Sequence, residues 1–202
     1  KVLVSGPYNV PKNTKINYHV GPPLRYAKIF STTTNSSQSD TILVILPYWE
    51  TEIKAIFNLI RGAQLNRKIL VKFHPDTHKK QYLKMLESNM KVTEKGIYDL
   101  FQDTRLVLSS CTGAQVEACC LGIPVISLQV NQMFSINYLP DIGEGVLWKR
   151  VSSVLELTKA VSNFENKLQN DSLSMSNAAD KMRGMIFSEV SGQKIIEAFD
   201  LA

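Results

Sequence analysis

From Ser109 to Glu117 the chain reads "SSCTGAQVE", directly after the apolar run "LVL" (106–108). Where a buried strand turns into a helix, the free N–H groups of the first turn carry partial positive charge and can receive an anion. Ser109, Ser110 and Thr112 can add hydrogen bonds to a phosphate, and Gly113 leaves room for it near the backbone. A purely local reading competes: Thr112 and Gln115 have the T-x-x-Q spacing of a capping box, which any helix can use. Glu117 shares a helix face with Gly113. A carboxylate there can accept hydrogen bonds from ribose hydroxyls, or it can be a solvated side chain or a partner of the helix dipole. Its neighbours Val116, Ala118, Cys119 and Cys120 are apolar, so the charge must leave the core or be paired.

His74 in "KFHPD" (72–76) is the second candidate. Pro75 pushes it towards extended geometry and holds the ring at a strand end. An imidazole there can donate to a phosphate oxygen or protonate a leaving group, although a lone strand-end His is more often structural. Cys111 stands at a helix N-terminus, which lowers a thiol pKa, and with His74 it could form a nucleophile and base. No signature of a Cys hydrolase accompanies it, and no Arg follows at phosphatase spacing. His78 reads as a surface residue, and His19 carries no assignment.

These residues need a scaffold, and the chain supplies a rhythm for one. "TILVILP" (41–47) is a continuous apolar run and predicts a buried strand. Residues 50–65 place Ile53, Ile56, Phe57 and Ile60 at helical spacing. Strands are predicted at 68–73, 90–94, 105–110, 124–129 and 145–149. Helices are predicted at 97–103, 112–121, 152–168, 173–187 and 193–201, with a basic helix after the turn at 74–77. A short strand is expected at 1–5, an irregular connection at 6–23, a short helix or strand at 24–30, and an exposed, mobile loop at "STTTNSSQSD" (31–40). Apolar strands alternating with helices predict a doubly wound, Rossmann-like α/β domain with a parallel sheet. Its expected organisation is an entry segment (1–40), the sheet domain (41–168) and closing C-terminal helices (169–202). In such sheets ligands bind beyond the carboxyl ends of the strands, here 47–49, 74–76, 94–96, 109–113 and 129–132.

Bulk properties bound the reading. With 202 residues, 44% of them apolar, the chain can bury a sizeable core. It opens on "KVLVSG" without Met, which raises the expectation of a piece of a longer protein; a trimmed tag or a processed precursor is the bland alternative. No apolar run is long enough to span a membrane. The three cysteines, Cys111, Cys119 and Cys120, are odd in number and clustered, which argues for a reducing compartment and against a disulfide framework. No Cys-x-x-Cys pair suggests zinc. Residues 1–110 hold 16 Lys/Arg against 8 Asp/Glu, and residues 111–202 hold 7 against 10. A basic half suits an anionic ligand or an anionic membrane surface, and a solvated basic face is equally ordinary. No nucleic-acid motif appears, and the aromatics do not interleave with the basic residues.

"VKFHP" (71–75) and "SSCTGAQVEACCLGIPVISL" (109–128) together resemble the C-terminal nucleotide-sugar-binding domain of GT-B glycosyltransferases. The likeness is nearest to bacterial surface-carbohydrate enzymes with an HP motif and an S-x-x-G-x-x-x-E-A-x-x-x-G-x-P-V segment, capsule sialyl- and Kdo-type transferases among them. "HVGPPLRYAKIF" (19–30) is similar to a segment before the second Rossmann-like half of surface-polysaccharide proteins. The resemblance covers about residues 20–149, with the usual pair of C-terminal helices after it. Its E-A-x-x-x-G-x-P-V part also occurs in UDP-N-acetylglucosamine 2-epimerases.

The resemblance implies roles. His74 contacts the donor phosphate and serves the leaving group. Ser109, Ser110, Thr112 and Gly113 cradle that phosphate, and Glu117 holds the ribose. The backbone around Glu94, Gly96 and Ile97 meets the base, and Pro47 and Tyr48 border the cleft. A CMP- or UDP-activated sugar is the implied donor, with no cofactor or metal required. An N-terminal acceptor domain is implied as the missing partner, in the cytoplasm or at the inner membrane surface, and the chain alone is expected to be inactive. Two alternatives stand beside this: a non-catalytic nucleotide- or partner-binding module, and half of an epimerase.

Overall fold

The computed structural model describes residues 2–12, 15–129 and 137–200. Two short strands, β1 (Val2–Val4) and β2 (Tyr18–Val20), pair in parallel as a separate sheet. The main sheet holds β3 (Thr41–Ile45), β4 (Lys68–Lys72), β5 (Met90–Val92), β6 (Leu106–Ser109), β7 (Val125–Leu128) and β8 (Trp148–Val151). Its order is β5-β4-β3-β6-β7-β8, and every pairing is parallel. The helices are α1 (Glu50–Ala63), α2 (Ile97–Phe101), α3 (Ala114–Cys120), α4 (Val154–Asn170), α5 (Ser172–Ile186) and α6 (Gly192–Phe199). The doubly wound α/β architecture is therefore present.

The continuous apolar runs have a simple cause. Successive strand residues point to opposite faces, and both faces are covered. Ile42, Val44 and Leu46 enter one core with Ile53, Ile56, Phe57 and Ile60 of α1. Leu43 and Ile45 enter the other with Leu100, Phe101, Ala118 and Cys119 of α2 and α3. Met175, Ala179 and Met182 of α5 belong to this second core, whereas α6 has no buried residue.

Several local expectations are corrected. The basic segment after the 74–77 turn is a 3-10 helix, Lys79–Met85, in which Tyr82 alone is buried, stacked 5.8 Å from Phe73. Leu24–Phe30, expected as a short helix or strand, is a 3-10 helix. β2 lies inside the segment expected to be irregular; three residues carry too little pattern, and its partner strand is what defines it. β8 starts at Trp148 because Gly143 and Gly145, at φ 77 and 76, build a turn from the residues before it. The loop at 31–40 is pinned rather than free. Ser36 and Ser39 are buried, and the Arg105 guanidinium donates to the Ser37 and Ser39 carbonyls at 3.0 and 3.3 Å. Of the predicted strand ends, residues 130–132 lie outside the described residues. Among the described residues, no helix is long and apolar enough to cross a membrane.

Candidate functional site

The strand order creates a switch point. From β3 the chain moves to β4 on one side; β6, paired directly with β3, leads to β7 on the other. Connections diverge there, and the region beyond the carboxyl ends of β3 and β6 is the general ligand position of such sheets. Ile45 is paired with Ser109 at this edge. The residues just beyond are Pro47 to Trp49 after β3, His74 after β4, Glu94 to Ile97 after β5, and Ser110 to Gly113 after β6. One edge of the sheet thus collects all the candidate residues except Glu117, which lies a turn further along α3.

On the β3–β4 side the rim is aromatic. Pro47 is buried, while Tyr48 and Trp49 are each 54% exposed. Their rings meet edge to face at 5.7 Å, and Tyr48 meets His74 in the same way at 5.7 Å. The Asp76 backbone N–H donates to His74 Nδ1 at 3.3 Å, so the neutral ring keeps its proton on Nε2. The Asp76 carboxylate lies 3.6 Å from Nδ1.

The hydroxyls of Ser109 and Ser110 are committed inside the protein. Ser109 Oγ donates to the Ile45 carbonyl at 2.7 Å, and Ser110 Oγ donates to Glu52 Oε2 at 2.9 Å. Both serines are buried, as is Glu52 in the first turn of α1. The Gln115 amide donates to the Ser110 carbonyl, so the T-x-x-Q capping box does not form. Gly113 is the N-cap, without a side-chain cap, and Thr112 Oγ1 accepts from Ala114 N–H at 3.4 Å. A Cβ on Gly113 would meet nothing within 4 Å, so no protein contact demands glycine there. A phosphate at this turn would meet Thr112, Gly113 and backbone N–H groups, with the two serines bracing the turn from beneath.

Glu117 is half-buried and has a partner that its sequence neighbourhood does not reveal. The Tyr98 hydroxyl, on α2, donates to Glu117 Oε2 at 2.6 Å. Burial pushes the Glu117 carboxyl above its ordinary pKa; the Tyr98 hydrogen bond and the Arg25 charge pull it back. Burial, with help from Glu117, also pushes the Tyr98 hydroxyl up. After β5, Glu94 pairs with Lys79, which holds its carboxyl below the ordinary range. Gly96 caps α2, and a Cβ there would lie 2.9 Å from Asp99 Oδ2. Ile97 packs against the second core.

Glu52, Tyr98 and Arg25 escape a reading of the sequence. Glu52 had a signal: it stands four residues before Ile56, so a carboxylate falls on the apolar face of α1. Trp49 falls within the strand-end stretch 47–49 that the sequence already marks. Tyr98 and Arg25 had no signal, because their relation to Glu117 is purely tertiary. A cavity of about 210 Å³ lined by Thr34, Gly122, Met175 and Arg183 lies away from this rim, beyond the C-terminal end of α3.

No protein-family model and no curated protein sequence matches the chain. Solved structures do match in fold. The spinosyn rhamnosyltransferase SpnG, complexed with spinosyn aglycone, superposes with a TM-score of 0.57 at 14% identity, over 98% of this chain and 51% of its own. The calicheamicin glycosyltransferase CalG4 gives 0.55 at 16% identity, over 97% and 48%. The wall teichoic acid polymerase TagF gives 0.52 at 16% identity, over 88% and 44%. All three are GT-B glycosyltransferases, and this chain has the fold of one of their Rossmann-like domains. It spans about half the length of the structures it matches.

Proposed function

We propose that this chain is the donor-binding domain of a glycosyltransferase that uses a pyrimidine nucleotide sugar, CMP- or UDP-activated, in surface-polysaccharide assembly. The observation that carries the reading is the switch point between β3 and β6. It combines an open turn at Thr112 and Gly113, a half-buried carboxylate at Glu117, and His74 with its proton on Nε2. A nucleotide fits these groups in order. Its phosphate lies over the 110–113 turn, where backbone N–H groups meet negative charge. Its ribose hydroxyls donate to Glu117, and its base lies by residues 94–97. Charge builds on the departing phosphate as the sugar leaves, and the Nε2–H of His74 can donate to it there. The exposed Tyr48 and Trp49 border the cleft, whose far wall a second, acceptor-binding domain would supply. The match to half of each neighbour supports that arrangement.

The test is calorimetric titration of the chain with CMP, CDP, UMP, UDP and GDP, beside Glu117→Ala. The expected result is selective binding of one pyrimidine nucleotide, weakened about tenfold or more in the variant, as for a lost hydrogen bond to a charged group. No binding to any of the five at millimolar concentration would overturn the reading.

A further inference from the structure

A carboxylate that binds a diol must be held still. Glu117 is half-buried on α3, where an unrestrained charged side chain would turn towards water or take up a proton. Among the described residues its one side-chain hydrogen-bond donor is Tyr98. The Tyr98 ring is itself fixed. It meets Phe101 edge to face at 6.0 Å, and Lys28 Nζ stands 5.9 Å from its centre. Arg25 adds positive charge from the same 3-10 helix as Lys28. Three elements, α2, α3 and the helix Leu24–Phe30, therefore converge on one hydrogen bond.

We infer that Tyr98 is the positioning residue of the ribose site, and that its hydroxyl sets the preference for ribose over 2′-deoxyribose. This rests on the reading of Glu117 as the ribose acceptor. Tyr98 occupies one lone-pair position of Oε2 and fixes the carboxylate plane. Oε1 and the remaining position on Oε2 are left to accept from the 2′- and 3′-hydroxyls together. Without the tyrosine hydroxyl the carboxylate rotates, and the paired acceptance that distinguishes a diol from a single hydroxyl is lost.

Tyr98→Phe removes the hydroxyl and keeps the ring packing on Phe101, so the variant is expected to fold. Dissociation constants for CDP, UDP and their 2′-deoxy forms are measured on the wild type, Tyr98→Phe and Glu117→Gln, with a thermal melt of each. The wild type is expected to prefer the ribo form by about tenfold. In Tyr98→Phe the preference falls to about twofold, while affinity for the deoxy form stays within about twofold. An equal loss for ribo and deoxy forms would mean a structural role only and overturn the inference. So would a preference kept in Tyr98→Phe but lost in Glu117→Gln, which leaves the Glu117 reading standing. A wild type that binds nucleotide without ribose preference overturns both, as does one that binds none.

Discussion

Glu117 carries its own electrostatic signature. Burial raises its carboxyl pKa in the fold, and the opposing pull of Tyr98 and Arg25 is smaller. The folded state therefore holds this proton more tightly than the unfolded chain does. Below the ordinary carboxyl pKa the side chain is neutral in both states and the burial penalty is absent. As pH rises through the raised folded value the charge appears, and this group's contribution to stability is lost. Glu117→Gln removes that dependence. Thermal melts at about pH 4 and about pH 7 should show the gap between variant and wild type shifting in favour of the variant at the higher pH. A gap that stays constant would mean Glu117 is not carrying a buried charge. Glu52 makes the complementary point. It too is a buried carboxylate, but it sits in the first turn of α1, where the helix dipole favours it, and it accepts from Ser110. One acid braces the turn; the other stands beside it with an acceptor to spare.

At the scale of elements, α3 must end sharply so that β7 can begin. Gly122 does this at φ 75, and the Leu121, Gly122 and Ile123 N–H groups all return to α3 carbonyls. A Cβ there would lie 3.8 Å from the Ala179 Cβ, an ordinary contact, so the cost of a side chain is backbone strain alone. Gly122→Ala should destabilise the domain by about 1–2 kcal/mol, read as a shifted urea midpoint with an unchanged slope. Much of this scale was legible beforehand. The apolar runs of β3, β4, β6 and β7 and the spacing of Ile53, Ile56, Phe57 and Ile60 are local patterns, and local patterns survive folding. The 3-10 helix at Lys79–Met85 was not legible, because its single buried anchor, Tyr82, is defined by Phe73 on another element. The start of β8 was missed for a related reason: two glycines in the left-handed region turn an apolar stretch into a loop.

Across the whole molecule the two edges of the sheet differ in purpose. The amino edge is stapled by charge. Arg67 pairs with Asp40 and with Glu165, and Arg105 reaches the carbonyls of the 31–40 loop from a buried position. Arg105→Ala would strand those carbonyls and should cost about 3 kcal/mol, with faster amide hydrogen exchange at residues 36–41. Unchanged exchange there would show that the loop holds itself. The carboxyl edge leaves the side chains of Tyr48, Trp49, His74 and Thr112 outward instead, with the bare backbone of Gly113 beside them. Within residues 1–110, Lys54, Arg61, Arg67 and Lys79 are interleaved with acids of the same half, Glu50, Glu87, Asp40 and Glu94, and Arg67 also reaches Glu165. The amino-terminal half is therefore not one continuous cationic field.

The sequence by itself determined the alternation of strands and helices, the two-faced burial of the sheet, and the edge at which chemistry could gather. Each of those follows from periodicity within a dozen residues. Only the tertiary structure decided what the polar groups of that edge do. Ser110 finds its acceptor 58 residues away in Glu52, and Glu117 finds its donor 19 residues away in Tyr98. A hydroxyl beside a strand end looks the same in sequence whether it meets a ligand or a buried carboxylate. The difference lies in which elements the sheet order brings side by side, and no local pattern encodes that order.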